Sequence, residues 1–435
     1  MSTTTAEAGI AATDTRLPNG VRVLHSFAPS NPSVVVRLLV RAGASRETPE
    51  QQGLARLAGR MLRQGTERID KDALAEELDG MGAGLSVDVG YALTTISIKC
   101  LAEDFRRSLE LLAGVALKPT FPERELEAVR GQALTELREM DDNTRVVAER
   151  LWREMAYPAD HRYHRLTAGT DETLRRFTRD DLAAFHRRTY TPDQATLIVV
   201  GDVAAEAVRQ ESERVLGDWQ GSPQEDVRAT LPWMPDPPGG SREHVLEGKT
   251  QADLVIGLPA IERTDPDYYA LAFANHILGR IYFMGRFGEK VRDEQGLAYY
   301  AYSELGAGYG RGAWSVRAGV NPRNLDSAIA SIHAEIERFL RDGPTEAEMQ
   351  DGVTSLVGSL PRQVETNEGV AAVLAEVDLF ELGLDYLERY PSIVRALTHE
   401  QVLAAARRHI KPASLITAIA GPARAEEGSA SAPDR

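Results

Sequence analysis

The sequence predicts an α+β fold built from two homologous α/β halves, each an antiparallel-rich mixed sheet packed against helices. Three observations predict this fold: an internal repeat, a polar proline-rich stretch between the two copies, and short apolar runs that alternate with segments of helical spacing. The chain has 435 residues, which is enough for two domains that each bury a core of their own.

The repeat is clearest where residues 177–201 align without a gap on residues 397–421. In each copy a threonine stands before the helical pattern as an N-cap, and a proline ends the helix before a short apolar run. The caps are Thr178 and Thr398, and the prolines are Pro192 and Pro412. Both copies therefore predict a helix followed by a strand.

A second pair of segments supports the duplication. Residues 46–55 resemble residues 263–272, and each segment follows an apolar strand candidate. Residues 85–89 alternate between apolar and polar types, as in a half-buried strand, whereas residues 123–140 and 143–155 have helical spacing. Each half is thus predicted to run strand, helix, strand, long helices, and a closing helix and strand.

The two copies and their flanks define the predicted organisation. A polar segment rich in glycine and proline separates the copies and predicts an extended linker. The C-terminal residues have no apolar periodicity, which predicts disorder. The predicted parts are an N-terminal tail at 1–14, an N-terminal α/β domain at 15–221, a linker at 222–243, a C-terminal α/β domain at 244–422, and a disordered tail at 423–435.

Composition excludes several classes of function. The net charge of -15 argues against a nucleic-acid-binding protein, because phosphate contacts rely on clustered Lys and Arg. No run of about 18 apolar residues is present, so we expect no membrane span. Cys100 is the single cysteine, which leaves no internal disulfide. The N-terminus lacks the basic and apolar regions of a secretory signal, which favours a cytoplasmic location.

Three further elements of the sequence match a known family pattern. Residues 15–23, TRLPNGVRV, contain an L-x-N-G strand opening, and residues 190–202 contain a Y-x-P and a V-G-D element. Residues 43–66 match the zinc-helix region of the same pattern in register. This chain resembles the pitrilysin, insulinase and mitochondrial processing peptidase family, the inverted zincins, over nearly all of residues 15–422. The resemblance implies half of a clam-shell peptidase.

The zinc-helix region departs from the family at the residues that would bind the metal. In the family motif H-x-x-E-H, two histidines bind Zn²⁺ and the glutamate activates water, and the three positions lie on one helical face. This sequence has Arg56, Gly59 and Arg60 at these positions. Arginine has no lone pair for a metal, and glycine has no side chain to take a proton. We therefore expect no metal and no cofactor on this chain.

Glu136, in the segment ELREMDDN at 136–143, stands where the resemblance places a third zinc ligand. A single carboxylate is a poor zinc site. We expect Glu136 to pair with Arg56 or Arg60, which occupy the space of the ion, because an unpaired buried carboxylate is costly. A solvated glutamate on a helix face is the alternative interpretation.

A second group of residues lies in the C-terminal copy. The segment FGEKVRDEQGLAY at 287–299 resembles the family's L-R-x-x-x-x-L-x-Y pattern, and Arg292 and Tyr299 match it. The resemblance implies that both side chains face the scissile peptide. A guanidinium and a phenol are strong donors that can hold a carbonyl and stabilise an oxyanion. The alternative is an arginine at a helix end and a tyrosine packed in a strand.

The loss of the metal ligands, together with the retention of Arg292 and Tyr299, resembles one half of the family's divided enzymes. The resemblance implies a non-catalytic subunit of a heterodimeric zinc metallopeptidase, inactive alone. It would supply both residues in trans to a homologous H-x-x-E-H subunit that carries the zinc. Peptides are the expected substrates, bound as an added β-strand. Two alternatives stay open: a pseudoenzyme that binds peptides or scaffolds an assembly, and an active homodimer with a different metal site.

Three histidines invite a metal interpretation. His161 and His164 stand three positions apart in a predicted loop, without Cys or further His nearby. His276 lies in the second copy of the zinc-helix region, flanked by Phe273 and Arg280. For all three histidines we expect packing, interface or surface roles.

Overall fold

The structure is a computed structural model that describes residues 10–225 and 234–424. Parts of three predicted segments lie outside these residues: positions 1–9 of the N-terminal tail, 226–233 of the linker, and 425–435 of the C-terminal tail. The predicted N-terminal tail ends earlier than expected, because a strand already begins at Thr13. The predicted linker likewise ends before residue 243, because a strand begins at Gly240.

The strands of the described residues include those predicted at 85–89 and in both copies of the repeat. They are β1 Thr13–Arg16, β2 Arg22–Phe27, β3 Ser33–Val40, β4 Gly84–Val89, β5 Thr94–Leu101, β6 Ala195–Gly201, β7 Gly240–Val245, β8 Ala252–Pro259, β9 Ala298–Leu305, β10 Ala313–Val320 and β11 Ile416–Gly421.

The helices confirm the segments predicted from periodicity. They are α1 Leu54–Met61, α2 Lys71–Gly80, α3 Phe105–Leu117, α4 Glu123–Asp141, α5 Thr144–Ala156, α6 Asp171–Arg176, α7 Arg179–Thr189, α8 Ala205–Leu216, α9 Tyr268–Gly279, α10 Gly285–Phe287, α11 Leu325–Asp342, α12 Glu346–Gln363, α13 Asn367–Phe380, α14 Tyr386–Arg395 and α15 His399–His409. A π-helix, Gly288–Glu294, continues α10. Within the described ranges, no helix has the length and apolarity needed to cross a membrane.

The predicted caps explain where the repeated helices begin. The Thr178 hydroxyl accepts a hydrogen bond from the Asp181 backbone N–H at the start of α7. The Thr398 hydroxyl accepts one from the Gln401 backbone N–H at the start of α15. Each bond satisfies a helix donor that has no partner inside the helix. The same local chemistry therefore begins both copies.

One compact unit comprises the described parts of Met1–Leu137, Arg165–Leu231 and Leu356–Ile393. Its six-stranded sheet has the order β1-β2-β6-β3-β5-β4, in which only β2 and β6 are parallel. One face of the sheet packs against α1 and α3, α7 packs on α1, and α13 packs on β3 and β6 from the other face.

The other compact unit comprises the described parts of Arg138–His164, Pro232–Ser355 and Val394–Arg435. Its five-stranded sheet has the order β7-β11-β8-β10-β9, in which only β7 and β11 are parallel. Helix α5 packs on β8 and β11, and α9 packs on β9 and α15.

The two strand orders are equivalent, since β2-β6-β3-β5-β4 corresponds position by position to β7-β11-β8-β10-β9. The edge strand β4 in the first sheet therefore has β9 as its counterpart. The compact units do not follow the contiguous ranges 15–221 and 244–422 predicted as domains, because residues 138–164 belong to the second unit and residues 356–393 to the first. The sequence repeat and the packing units thus divide the chain differently.

Candidate functional site

Helix α1 places Arg56, Gly59 and Arg60 on one face, as their spacing predicts. The helix begins after Gly53, whose φ of 90° lies in the left-handed region. The Glu47 carboxylate completes this helix start by accepting hydrogen bonds from the backbone N–H groups of Gly53 and Ala55, at 3.2 and 2.7 Å. The orientation of the face that carries the two arginines is therefore set by local backbone geometry.

Gly59 lies against the edge strand β4 with no space for a side chain. A Cβ atom built at Gly59 would lie 2.4 Å from Val89 Cγ2. Valine is branched at Cβ and cannot swing its methyl groups away freely. The helix and strand therefore approach each other at a distance that only glycine allows.

The pairing predicted for Glu136 is present. Arg60 Nη1 donates to Glu136 Oε1 at 2.9 Å, and Arg60 Nη2 donates to Glu136 Oε2, which forms a two-bond fork. Arg56 Nη2 lies 3.5 Å from the same Oε2 atom. One carboxylate thus faces two guanidinium groups.

The electrostatics of this cluster follow from its geometry. The hydrogen bond from Arg60 is the main cause that lowers the pKa of Glu136, and the charges of Arg60 and Arg56 act in the same direction against the opposing effect of burial. Burial and the neighbouring Arg60 charge lower the pKa of Arg56, and Glu136 offsets part of that shift. The one carboxylate therefore only partly offsets the two guanidinium charges, and the cluster keeps a net positive charge.

These residues do not fit a zinc ion. Structural and catalytic zinc sites use three or four ligands from Cys, His, Asp or Glu, and Glu136 is the one such residue in the cluster. Both oxygens of Glu136 accept from, or lie beside, guanidinium nitrogens. No imidazole is available at Arg56 or Arg60, and Gly59 offers no proton acceptor. The residues of this cluster are therefore not suited to zinc chemistry at α1.

One group of side chains in the described residues has ligand atoms close enough to hold a cation. These atoms belong to Asp265, Asp267 and His409, and all lie within 4.8 Å of one another. Asp267 Oδ2 already accepts hydrogen bonds from Arg408 at 2.5 Å and from His409 at 2.9 Å. The Arg408 charge opposes a metal ion at this position. These contacts make the group an ion-pair cluster.

Arg292 lies in the π-helix Gly288–Glu294. Such helices are rare and occur frequently at functional sites. Its guanidinium carbon lies 4.8 Å from the centre of the Phe283 ring, and Nη1 lies 3.9 Å from Met284 Sδ. Nε lies 3.3 Å from Asp293 Oδ1. The guanidinium is thus held from one side by soft apolar groups, with donors left for an outside acceptor.

Tyr299 lies near the start of the edge strand β9, and its side chain is 63% exposed. Among the described residues, none makes a hydrogen bond with its hydroxyl. The pairing of β9 with β10 shifts register at this point, with Ala298 opposite Val320 and Tyr300 opposite Gly319, so Tyr299 is the extra residue of a β-bulge. The phenol is therefore an exposed, unengaged donor at an irregular position of the edge strand.

The neighbouring Tyr300 has a different role, because its hydroxyl has partners within the chain. Its hydroxyl donates to the buried carboxylate of Asp253 at 2.5 Å, and its ring lies under Arg145, with 4.4 Å between the guanidinium carbon and the ring centre. Thr144 and Gln251 donate to the same carboxylate. Burial and the Asp253 charge raise the pKa of Tyr300. Tyr300 is thus a structural residue.

The structure brings Arg56, Gly59, Arg60 and Glu136 together within one compact unit. It places Arg292 and Tyr299 in the other unit, on neighbouring elements, and within the described residues no hydrogen bond joins the two side chains.

The three histidines have local partners. His161 is buried, its ring stacks on Tyr157 at 5.0 Å, and its Nδ1 accepts from the Tyr163 backbone N–H at 3.1 Å. His164 Nδ1 lies 2.8 Å from the Tyr157 carbonyl oxygen. His276 Nε2 lies 3.1 Å from Ser355 Oγ, and burial lowers the pKa of His276 to about 4. These contacts account for all three as packing residues.

Sequence reasoning missed the residues that surround Arg292. Tyr282 and Phe283 are exposed, and Phe283 and Met284 contact the guanidinium. The signal that could have found them is the placement of two large aromatic residues between Gly279 and Gly285, where a turn is expected to be polar.

Two family models match the chain. The model described as insulinase, peptidase family M16, matches residues 22–169. The model described as peptidase M16 inactive domain matches residues 176–356. The first match contains α1 and the second contains Arg292 and Tyr299, so the two regions described above fall in different matched domains.

Individual relatives give a consistent result. The chain is similar to the uncharacterized zinc protease YmxG of Bacillus subtilis, with 26% identity over 401 residues, which cover 89% of this chain and 96% of that protein. It is 28% identical over 266 residues to the mitochondrial-processing peptidase subunit beta of Rattus norvegicus, with 61% of this chain and 53% of that protein covered. A solved structure, the peptidase M16 inactive domain from Pseudomonas fluorescens, matches with a TM-score of 0.88 and 25% identity over 95% of this chain and 98% of that chain.

Proposed function

Because the chain belongs to the insulinase family of M16 peptidases, we propose that it is the metal-free subunit of a heterodimeric zinc metallopeptidase. A homologous H-x-x-E-H subunit carries the zinc, which supplies Lewis-acid polarisation and an activated water when bound. This chain contributes Arg292 and Tyr299 in trans and is inactive alone. The substrates are peptides, and the complex acts in the cytoplasm.

The observation that carries the proposal is the contrast between the two groups of polar residues. At α1, Glu136 is paired with Arg60 and Arg56, a set of residues that does not fit a zinc ion. At the second group, the Tyr299 hydroxyl has no partner in the described part of the chain, and Arg292 is only partly engaged. A protein that has lost metal ligands and kept unengaged donors is suited to complete the site of a partner.

The chemistry expected of the two residues follows from their side chains. Arg292 carries a fixed positive charge, and its N–H groups can donate to a peptide carbonyl oxygen. The Tyr299 phenol can donate to the same or a neighbouring oxygen. Both interactions strengthen as negative charge develops on that oxygen, so the two residues stabilise the transition state more than the bound substrate.

A relative supports the division into subunits. The rat protein that is 28% identical to this chain over 266 residues is by name a subunit, the beta subunit of the mitochondrial-processing peptidase. A related chain that acts as part of a larger assembly is consistent with a partner for this one.

A reconstitution experiment tests the proposal. The full chain is mixed with a zinc-bearing H-x-x-E-H homologue, and cleavage of a quenched fluorescent peptide is compared with that of the homologue alone. We expect the mixture to be active and this chain alone to be inactive. A mixture no more active than the homologue would overturn the proposal.

The same experiment distinguishes the proposed peptidase subunit from the alternative, a peptidase-like pseudoenzyme. A pseudoenzyme that binds peptides or scaffolds an assembly would form a complex or bind the peptide without raising turnover. The matched control is Arg341→Ala, since the Arg341 side chain is exposed and forms its ion pair with its neighbour Asp342. This control should reconstitute like the unmodified chain. Cell fractionation tests the cytoplasmic location.

A further inference from the structure

The segment between α9 and α10 exposes two aromatic side chains. We call residues 280–285 the aromatic turn. Tyr282 is 78% exposed and Phe283 is 70% exposed. In the described ranges six large apolar side chains are exposed, and the aromatic turn and Tyr299 provide three of them within one short stretch of sequence. Such clustering of exposed apolar surface marks a binding site rather than a scatter of surface residues.

The backbone of the aromatic turn is held in a defined conformation. Tyr282 has a φ of 59°, which is rare for an aromatic residue, and its hydroxyl donates to Asp351 Oδ2 at 2.6 Å. Gly285 has a φ of 60°, and a Cβ there would lie 2.6 Å from the Ile277 carbonyl oxygen. Left-handed residues persist where their surroundings fix them, and they cluster at ligand-binding sites. The turn therefore presents its aromatic rings to solvent instead of folding them onto the core.

The aromatic turn is continuous with the predicted peptide-binding donors. The Phe283 ring lies 4.8 Å from the Arg292 guanidinium carbon, so the cation covers one part of the ring and leaves the rest open. A Cβ on Gly279, which ends α9 just before the turn, would lie 2.1 Å from the Ser303 backbone nitrogen on β9. This close approach places the start of the turn next to β9, the strand that carries Tyr299.

We propose that the aromatic turn is a specificity subsite that receives one large apolar side chain of the bound peptide, of the Phe or Leu class. The inference rests on the proposed function, because it places the subsite next to the carbonyl that Arg292 holds. The apolar side chain packs on the open part of the Phe283 ring and on Tyr282. Tyr282 is fixed by Asp351, and Phe283 by Arg292, so the subsite is formed before the peptide binds.

The size of the patch favours a side chain over a protein surface. An aromatic side chain contributes about 150 to 250 Å² when fully buried. Two such rings, already in partial contact with Asp351 and Arg292, offer less than the roughly 800 Å² per partner that a stable protein interface buries. An extended peptide requires hydrogen-bond donors for its main-chain carbonyls. Arg292 and Tyr299 supply such donors next to the aromatic turn.

The test uses two fluorescein-labelled peptides of ten residues that differ only at the central position, which is Phe in one and Ser in the other. Anisotropy titrations of the full chain measure both dissociation constants. We expect the Phe peptide to bind about 10-fold more tightly or better, as for apolar groups in a matching pocket. Phe283→Ala should reduce the ratio to within about 2-fold, and Phe283→Leu should retain most of it.

Phe27→Ala is the matched control, because Phe27 is also exposed, at 54%, but lies on β2 in the other compact unit. This control should keep the preference of the unmodified chain. Equal binding of both peptides, or binding of neither, by the unmodified chain would overturn the subsite. So would an equal loss of affinity for both peptides in Phe283→Ala, since that outcome describes a ring that only positions Arg292.

The two proposals fail in different ways. If the chain prefers the Phe peptide but does not raise the turnover of a zinc-bearing homologue, the proposed function fails and the subsite stands. If it raises turnover without any preference between the peptides, the subsite fails and the proposed function stands.

Discussion

The α1 region and the α9–β9 region occupy equivalent places in the two sheets, next to the edge strands β4 and β9. They differ in whether their polar side chains have partners within the chain. At α1 the charges of Arg60 and Glu136 satisfy each other. At β9 the Tyr299 hydroxyl has no partner in the described residues, and the Tyr299 side chain is 63% exposed. The first region is built as a closed structural cluster and the second as an open one, which is the arrangement expected when only the second still meets a ligand.

The largest expected effect concerns the α9–β9 region, which carries Arg292 and Tyr299. Arg292→Ala in the reconstituted complex should lower turnover by about 100-fold, and Tyr299→Phe by a similar factor, because each removes one donor to the developing oxyanion. Steady-state kinetics measure the effect, and size-exclusion chromatography shows that the complex still assembles. Turnover within about 2-fold of the unmodified complex for both variants would place these residues outside the reaction.

The next prediction concerns Gly59 in the α1 region. Gly59→Ala should lower the free energy of unfolding by about 1 to 3 kcal/mol, because the added methyl group meets Val89 Cγ2. The matched control is Gly131→Ala on α4, where a Cβ meets no atom within 4 Å. That control should raise stability by about 0.5 to 1 kcal/mol through helix propensity. Urea unfolding of both variants measures their free energies of unfolding. Equal changes in the two variants would contradict the tight packing of α1 on β4.

Adjacent tyrosines on β9 give a third comparison. Tyr300→Phe should cost about 1 to 2 kcal/mol of stability, because it removes a hydrogen bond to the buried Asp253 carboxylate. Tyr299→Phe should leave stability unchanged, since its hydroxyl has no protein partner in the described ranges. Thermal unfolding of the two variants measures the difference. A stability loss at Tyr299 equal to that at Tyr300 would mean that the Tyr299 phenol serves the fold.

The smallest expected effect is the pH dependence of the α1 cluster. Arg60 lowers the folded-state pKa of Glu136 below its unfolded value, so the pair stabilises the protein above the unfolded pKa. This contribution is lost as pH falls through the folded-state pKa. Because the Glu136 side chain is 43% exposed, we expect less than about 1 kcal/mol. Glu136→Gln should remove this part of the acid dependence in denaturation measured at pH 3 to 7, and an unchanged profile would contradict the pairing.

The sequence predicts those features that depend on local chemistry. The caps Thr178 and Thr398 begin α7 and α15 as predicted, because a side-chain oxygen that satisfies a helix N–H is a property of a few adjacent residues. The contact of Arg60 with Glu136 was also predicted, but from the resemblance, since residues so far apart in sequence are brought together only by the fold.

Other features depend on packing that the sequence pattern does not specify. An amphipathic helix shows which of its faces is apolar but not which sheet it covers, so the placement of α5 in the second unit and α13 in the first was not predicted. The π-helix that carries Arg292 differs from an α-helix only in hydrogen-bond register, for which residue propensities give no signal. The left-handed Tyr282 is likewise held by Asp351, a tertiary contact.

The most direct test of the central claim is the zinc content of the purified full chain, measured by inductively coupled plasma mass spectrometry after expression in zinc-supplemented medium and gel filtration. The account predicts no stoichiometric zinc on this chain alone, because the α1 positions are held by Arg56, Gly59 and Arg60 around Glu136. It predicts one zinc per complex after assembly with an H-x-x-E-H homologue. One tightly bound zinc on the isolated chain would contradict the account.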